Sequence, residues 1–545
     1  MTVAFPQEAA RPLYAAAIAS MKRGDLATAE RLMRQSLETE GESALSRHYL
    51  AHMLAALPDR VEEAIAQQRR ALALAPDHPV FCAALGLRLE DVGEDREALY
   101  HLERALSLDP ACALALPWAL RLRRRFLRWQ DEAQERGSLA ALLASGHAVD
   151  PLMLLSYIDD PAIQLANARR MAPKLTATPL EPHPPHDRIR IGYFSADFGE
   201  HATMHLMEGL FRNHDKARFA FYVYDFRPQV QSRQHRLIRD FADVYRDVRA
   251  MSSAETAALA RRDQLDIAVD LKGMTLDSRP ELFALRMAPV QISFLGFPGS
   301  SGIAQVDYLI ADAVTVPEGE ERHYSETILR MPACYQPNDN GRPLPATRGL
   351  RAAFGLPEDR FIFASFNHPH KVGPQEMGAW MEILRQVPEA VLLFYTGKND
   401  LRPELARHAR SGGVDPNRII ACGPLPQSAH LDRVAQVDLC LDCFAYNAHT
   451  TASDALWAGV PHLTLCGDQF AARVATSILA AGGVPELSVR TRDDFVSTAV
   501  ALARDPARLQ TLRQRVVDNR KGSALFDTQT WTRQYEALLS AAHAS

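Results

Sequence analysis

From residue 188 onward the chain alternates short β-branched and aromatic runs with stretches of helical periodicity, and it does so twice. The first series has runs at 188–195, 219–226, 267–271, 290–297 and 308–311, with helical stretches such as 234–249 and 253–263 between them. A connector carrying proline and glycine, 337–346, interrupts the pattern, which resumes with runs at 361–366, 391–395, 418–421, 437–442 and 462–465. Strands separated by helices pair in parallel and are covered on both faces. Two such series predict an α/β region of two lobes, 188–345 and 346–545, with a last helix over 528–542 placed to cross back to the first lobe.

Upstream the chain differs. Residues 11–146 are rich in Ala, Leu, Arg and Glu, with apolar positions at helical spacing. They also repeat: Ala64, Ala71 and Pro76 recur as Ala98, Ala105 and Pro110, 34 residues later each time. Gly86 falls where the first helix of such a unit needs a small residue, and G-D-L-A-T-A at 24–29 is an earlier copy slightly out of phase. The period and the small residues resemble the tetratricopeptide repeat, a helix pair whose alanines let neighbouring helices approach closely. Stacked pairs form an array whose inner surface takes extended peptide; a plain helical bundle is the simpler alternative. Clustered prolines in P-L-E-P-H-P-P-H-D, 179–187, remove backbone donors and disfavour helix, so 147–187 reads as a linker with helices within 152–173.

The charge balance, 61 Lys and Arg against 66 Asp and Glu for a net −5, provides no global field for nucleic acid or an anionic membrane. Seven scattered cysteines give no disulfide framework. The C-x-x-C from Cys440 to Cys443 lies in and just past a strand and lacks the second pair of a zinc ribbon. The start, M-T-V-A-F-P-Q-E, has neither the basic nor the apolar region of a signal peptide, and no apolar stretch reaches the roughly 18 residues of a spanning helix. A protein of the reducing cytoplasm is the expectation, binding neither nucleic acid nor membrane.

Several loops carry chemistry. Within 437–461 a short strand leads through a polar loop into a helix over 451–459 that ends on Gly459. A helix N-terminus there presents unpaired N–H groups and a positive dipole end, which favour an anionic oxygen. Thr450 and Thr451 add hydroxyls, and Asp454, one turn in, could accept two ribose hydroxyls; alone, Thr451 and Asp454 would also serve as a variant capping box. Lys371, past the strand at 361–366, is a point charge suited to a diphosphate. Glycine and proline in L-G-F-P-G-S-S-G, 295–302, let backbone approach a ligand. His201 and His205, four apart, have the spacing of a zinc pair, but no third ligand is evident and no metal site is expected.

Together these motifs resemble the O-GlcNAc transferase and SPINDLY family. Asn447-Ala448-His449-Thr450-Thr451 with Asp454 and Leu456-Trp457-Ala458-Gly459 is similar to the family's N-G-H-T-T-x-x-D-x-L-W-A-G run, Ala448 replacing a glycine. Asp197, His201 and His205 match its D-F-x-x-H-x-x-x-H-L segment, and Phe366-Asn367-His368-Pro369-His370-Lys371 its F-N-x-x-x-K. The resemblance covers essentially the whole chain and implies a tetratricopeptide superhelix followed by the two Rossmann-like lobes of a GT-B glycosyltransferase. It implies catalytic roles for His201, as general base or partner of the sugar, for Lys371, which neutralises the leaving diphosphate, and for Asp197. It implies nucleotide-sugar contacts at Thr203, Gly296, Pro298 and His368, at His449, Thr450, Thr451 and Asp454, and at a base-recognition loop with Leu425, His430 and Arg433.

The implied reaction is inverting, metal-independent transfer of N-acetylglucosamine from UDP-GlcNAc to Ser or Thr hydroxyls of proteins. No cofactor is implied, and acceptor proteins or peptides would use the repeat groove and the cleft. Gln427 stands where animal members carry lysine, which leaves open GDP-fucose as donor, as in SPINDLY-type members. A repeat scaffold that binds nucleotide but turns over little is the alternative of another class.

Overall fold

The computed structural model describes residues 11–57, 59–129, 131–346 and 349–544; the opening stretch, on which the expectation of no signal peptide rests, lies outside them. Among the described residues no helix is long and apolar enough to cross a membrane. There are two compact units. One runs to Arg124 and takes in residues up to His147 beyond a short segment, Arg125–Trp129, which belongs with everything from Ala148 in the other.

The first unit is built of helix pairs: α1 (Pro12–Lys22) with α2 (Leu26–Thr39), α3 (Ala44–Ala55) with α4 (Val61–Leu74), α5 (Pro79–Asp91) with α6 (Asp95–Leu108), then α7 (Leu116–Arg125) and α8 (Glu132–Ala144). Each pair also packs on the next, α2 on α3 and α4 on α5, so the pairs stack in chain order as a repeat array does. The recurring Ala64, Ala71, Ala98 and Ala105 are fully buried. Gly86 sets how closely α5 and α6 approach: a Cβ there would lie 2.7 Å from Leu102 Cγ and 3.0 Å from the Ala98 carbonyl oxygen.

The second unit opens with α9 (Pro151–Tyr157) and α10 (Pro161–Met171). Its first lobe runs β1 (Ile189–Ser195), α11 (Ala202–Asn213), β2 (Phe219–Asp225), α12 (Arg233–Phe241), β3 (Val244–Asp247), α13 (Ser253–Arg262), β4 (Ile267–Asp270), α14 (Pro280–Ala284), β5 (Val290–Ser293), β6 (Tyr308–Asp312) and β7 (Thr327–Met331). The sheet order is β3-β2-β1-β4-β5-β6-β7, and all pairs are parallel.

The second lobe runs β8 (Ile362–Ser365), α15 (Pro374–Gln386), β9 (Val391–Tyr395), α16 (Arg402–Ser411), β10 (Ile419–Cys422), α17 (Gln427–Ala435), β11 (Leu439–Leu441), α18 (Thr450–Trp457), β12 (His462–Leu465), α19 (Val474–Ala481) and β13 (Ser488–Val489). It ends in α20 (Arg492–Arg504), α21 (Pro506–Gly522) and α22 (Thr528–Ala544). Its order is β10-β9-β8-β11-β12-β13, again parallel throughout.

One expected helix is cut short. The stretch 234–249 is helical only to Phe241, because Ala242 leaves helical geometry at φ −65°, ψ 136°. Asp243 then accepts the Phe221 N–H of β2 at 2.8 Å, and Val244 and Tyr245 pair with β2 as an edge strand. The run expected over 290–297 is strand only to Ser293, since Leu295 turns to φ 68°.

Aromatic and aliphatic side chains fill each lobe: Phe194 stacks on Tyr224 at 4.3 Å beneath α13 and α14, and Ile362, Leu393, Cys440 and Ala455 join in the second core. Cys440 and Cys443 are buried and form no disulfide. The last helix does cross back, and α22 packs on α11 and β7. There Glu536 accepts from His214 Nδ1 at 3.1 Å and from the Asp215 N–H at 2.7 Å, while Tyr193 Oη lies 2.8 Å from His214 Nε2. The side chains of His214 and Glu536 are fully buried. Burial lowers the His214 pKa against the pull of Glu536, so the ring is neutral, donating from Nδ1 and accepting the tyrosine hydroxyl. Replacing Glu536 strands two buried donors. We expect Glu536→Ala to cost about 2–6 kcal/mol, at roughly 1–3 per unsatisfied group. The α/β unit should then unfold at lower urea while the helical unit is unmoved, and Glu536→Gln should recover most of the loss.

Candidate functional site

In both sheets the strand order reverses beside the first strand, between β1 and β4 and between β8 and β11. Loops leaving the carboxyl ends of such a strand pair diverge and open a crevice. The residues singled out in the sequence lie largely at these four strand ends.

In the second lobe the loop after β11 is organised by Asp442, whose side chain is fully buried. Its Oδ1 accepts from Asn367 Nδ2 at 3.0 Å and from the N–H groups of Cys443 and Ala448, both at 2.7 Å; Oδ2 accepts from Thr464 at 2.7 Å. Asn367 follows β8, so the two crevice loops share one anchor. Lys371 ends a single 3-10 turn, Pro369–Lys371. Its Nζ donates to the Asn447 carbonyl at 2.8 Å and lies 3.7 Å from the centre of the Tyr446 ring. Burial lowers its pKa to about 8, against the pull of Cys443 and Asp442. The ammonium is therefore mostly charged at neutral pH, and it touches the loop that leads into the N-terminus of α18.

Thr450 and Thr451 begin α18, partly exposed, with orphan N–H groups at the positive end of the helix dipole. His449 precedes them with Nε2 3.4 Å from the Ala471 carbonyl, and burial, helped by Lys371, lowers its pKa to about 3. Asp454 is already engaged. Its Oδ1 takes Arg342 Nη1 at 2.7 Å and its Oδ2 takes Gln427 Nε2 at 3.3 Å. Arg342, from the connector between the lobes, also lies over Trp457 at 5.2 Å. Arg342, Gln427, His205, Arg233 and Glu208 line a cavity of about 350 Å3 beside this pair.

The loop before α17 presents Leu425 at 39% exposure. Arg433 is buried and works inward, donating to the Gly423 carbonyl at 2.8 Å and to His430 Nδ1 at 3.1 Å. His430 sits edge-on to Phe366 at 5.1 Å, and burial lowers its pKa to about 4. His368 approaches His370 with 2.7 Å between their Nδ1 atoms.

In the first lobe Lys272, after β4, donates from Nζ to both oxygens of Asp197, after β1, at 2.7 and 2.8 Å in a buried pair. Asp270 shapes that turn by accepting the Lys272 and Gly273 N–H groups at 2.8 and 2.9 Å. His201 caps α11: its Nδ1 accepts the Thr203 N–H at 3.2 Å and lies 3.1 Å from the Thr203 hydroxyl and 3.5 Å from Asp197. A backbone N–H can only donate, so the Nδ1 lone pair is used and the neutral ring carries its proton on Nε2. Desolvation lowers the ring's pKa against Asp197, consistent with neutrality. Gly296 and Pro298 lie on the adjoining loop. A Cβ at Gly296 would strike the Leu271 and Lys272 backbone, so only glycine lets the two loops lie together. Behind them Phe297, Met274, Leu155 and Ala471 pack with Tyr446, joining α9 and both lobes under the crevice.

Lys272 and Arg342 were not assigned roles from the sequence. The signal for Lys272 was its place in D-L-K-G at a switch-point strand end; nothing local marks Arg342, whose partner lies 112 residues away.

Comparison with known proteins places the chain in a family. The sequence model of glycosyl transferase family 41 matches residues 177–346 and 340–535. A probable UDP-N-acetylglucosamine–peptide N-acetylglucosaminyltransferase SEC of Arabidopsis thaliana is 34% identical over 412 residues, 71% of this chain and 42% of that protein. The UDP-N-acetylglucosamine–peptide N-acetylglucosaminyltransferase of Caenorhabditis elegans is 27% identical over 475 residues, 65% of this chain and 40% of that one. This chain thus spans about two fifths of the length of these relatives. Among solved structures, a Thermobaculum terrenum O-GlcNAc transferase mutant superposes with a TM-score of 0.69 at 28% identity, covering 100% of this chain and 98% of that one.

A lysine whose pKa falls on folding destabilises the fold while it is charged. The unfolded chain binds more protons between about pH 8 and the free value, so this cost is full below pH 8 and fades as pH rises toward 10.5. We expect Lys371→Met to raise the melting temperature at pH 7, a gain of roughly 2–4 kcal/mol, since each tenfold change in proton affinity is worth about 1.4 kcal/mol. The gap from wild type should narrow by pH 10 in parallel thermal scans.

Proposed function

Because the chain belongs to glycosyl transferase family 41, we propose that it transfers N-acetylglucosamine from UDP-GlcNAc to Ser or Thr hydroxyls of proteins, by inversion and without a metal ion. The observation that carries this reading is the Lys371 ammonium, held by the Asn447 carbonyl in the loop that starts α18. As the sugar–phosphate bond breaks, negative charge grows on the diphosphate. Fixed positive groups that meet it then lower the barrier more than they tighten the ground state. Lys371 and the N–H groups of Thr450 and Thr451 provide that charge, which supports the metal-independent reading.

On the other side of the bond, His201 offers an Nε2–H donor to the sugar or its acceptor, because its Nδ1 lone pair is spent on Thr203. That supports the sugar-partner role for His201 over general base. Asp197 balances the Lys272 ammonium beside it. Direct attack by the acceptor hydroxyl from the face opposite the diphosphate forms the new C–O bond as the sugar–phosphate bond breaks, which gives inversion, and the hydroxyl proton passes to the departing diphosphate or to water. Arg342 holds Asp454 where a nucleotide ribose would meet it, so donor binding shares or displaces that contact.

The test is incubation of the purified protein with radiolabelled UDP-GlcNAc and a lysate of its host, in EDTA, beside Lys371→Ala. We expect label in protein, and in the variant a kcat lower by about 10²–10³ with little change in donor KM, as for loss of a charge-stabilising donor. Equal losses in both would count against the leaving-group role. Label from GDP-fucose but not from UDP-GlcNAc would overturn the donor assignment, and binding without transfer would favour a scaffold.

A further inference from the structure

The proline-rich segment before β1 carries chemistry that glycosyl transfer does not use. His183 and His186, in H-P-P-H, stack their rings with centroids 4.7 Å apart and 11° between planes. They lie against Asp266, which immediately precedes β4, and each of the three offers one ligand atom within 4.8 Å of the others. Asp266 is buried. Its Oδ2 accepts the Arg190 N–H of β1 at 2.8 Å, which fixes the carboxylate and leaves Oδ1 3.8 Å from His183 Nε2.

The far sides of both rings are tied to main-chain carbonyls. His183 Nδ1 is 3.2 Å from the Pro184 oxygen and His186 Nε2 is 3.1 Å from the Gln264 oxygen. A carbonyl only accepts, so these nitrogens hold the protons and the lone pairs fall on His183 Nε2 and His186 Nδ1. His183 Nε2 is buried and makes no hydrogen bond. A buried lone pair facing a carboxylate oxygen is two acceptors without a donor, a costly arrangement that a cation between them resolves. Anchoring the non-ligating nitrogen to a carbonyl is also how metal-binding histidines are oriented.

We propose that His183, His186 and Asp266 bind one divalent transition-metal ion, Zn2+ by ligand type. Ligands about 2.0–2.1 Å from zinc at tetrahedral angles lie roughly 3.3 Å apart, so the 3.8 Å between His183 and Asp266 closes with a small shift, and the other separations, within 4.8 Å, close as the stacked rings rotate toward the ion. The site is at the amino ends of β1 and β4, whereas the crevice is at their carboxyl ends, so the ion is structural: it clamps the proline-rich segment to the first lobe.

The experiment uses the full chain stripped with a chelator and titrated with Zn2+ against a chromogenic competitor, beside His183→Ala/His186→Ala and Asp266→Asn. We expect wild type to take up one ion more per chain than either variant. Its melting temperature should rise by about 2–4 °C with excess Zn2+, a shift the variants lack. Equal uptake and equal shifts in all three, or no shift in wild type, would overturn the site. Co2+ bound to wild type alone decides the matter if the variants fold poorly. Intense visible bands of a tetrahedral centre support the site, and the weak bands of an octahedral surface ion overturn it.

Discussion

The buried carboxylate of Asp442 is the contact on which the crevice of the second lobe depends. Burial alone would raise its pKa, but His462, Thr464 and the Ala448 N–H outweigh that and hold the group below the usual carboxylate range. A buried charge of this kind is tolerable only when its lone pairs are filled, and each filling fixes a piece of chain. Asn367 brings in the loop after β8, and Cys443 and Ala448 bend the loop after β11 back on itself. With the loop so folded, Asn447 donates its side-chain amide to the Cys443 and Phe444 carbonyls and turns its own carbonyl to Lys371. The helix N-terminus and the lysine are thus placed by one acid that touches neither.

The first lobe uses the same device with a different electrical result. Asp270, at the end of the strand across its switch point, gathers the N–H groups of the following turn and aims Lys272 at the crevice. There Lys272 meets Asp197 and the pair carries no net charge. In the second lobe Lys371 meets a carbonyl and an aromatic face, which solvate an ammonium without cancelling it. Two lysines at corresponding strand ends of lobes with similar topology therefore stand in different electrical settings, one neutralised by a carboxylate and the other held by a carbonyl and a ring.

Much of this was legible in the sequence because its signals are local. Strand and helix alternate with a clear change of period, the repeat alanines recur at fixed spacing, and Thr450 and Thr451 sit in the helix-starting position their neighbours predict. The edge strands β3, β7 and β13 were not legible, since a two- to five-residue edge has little periodicity and gains its identity from the strand beside it. Long-range polar partners escaped for the same reason. Nothing near Asp197 announces Lys272, and nothing near Asp454 announces Arg342, because those pairings exist only once the sheets have formed. Arg433, expected in the base-recognition loop, donates to the Gly423 carbonyl and lies 3.1 Å from His430 Nδ1, contacts that fix the shape of that loop and that its own neighbours in sequence do not announce.

The histidines complete the electrical picture. Burial keeps His449 and His430 neutral far below physiological pH, and His201 is committed as a neutral helix cap. Had these rings been cationic, positive charge would have spread along the cleft and held a charged donor in its ground state as strongly as at the moment of bond breaking. With these rings neutral, Lys371 and the first turn of α18 are the positive groups at this end of the crevice, where the proposed reaction would have a diphosphate gain charge. On the proposed reaction path, tight donor binding and fast reaction are separate properties, because a fixed ammonium favours charge that grows late more than charge already present at the start.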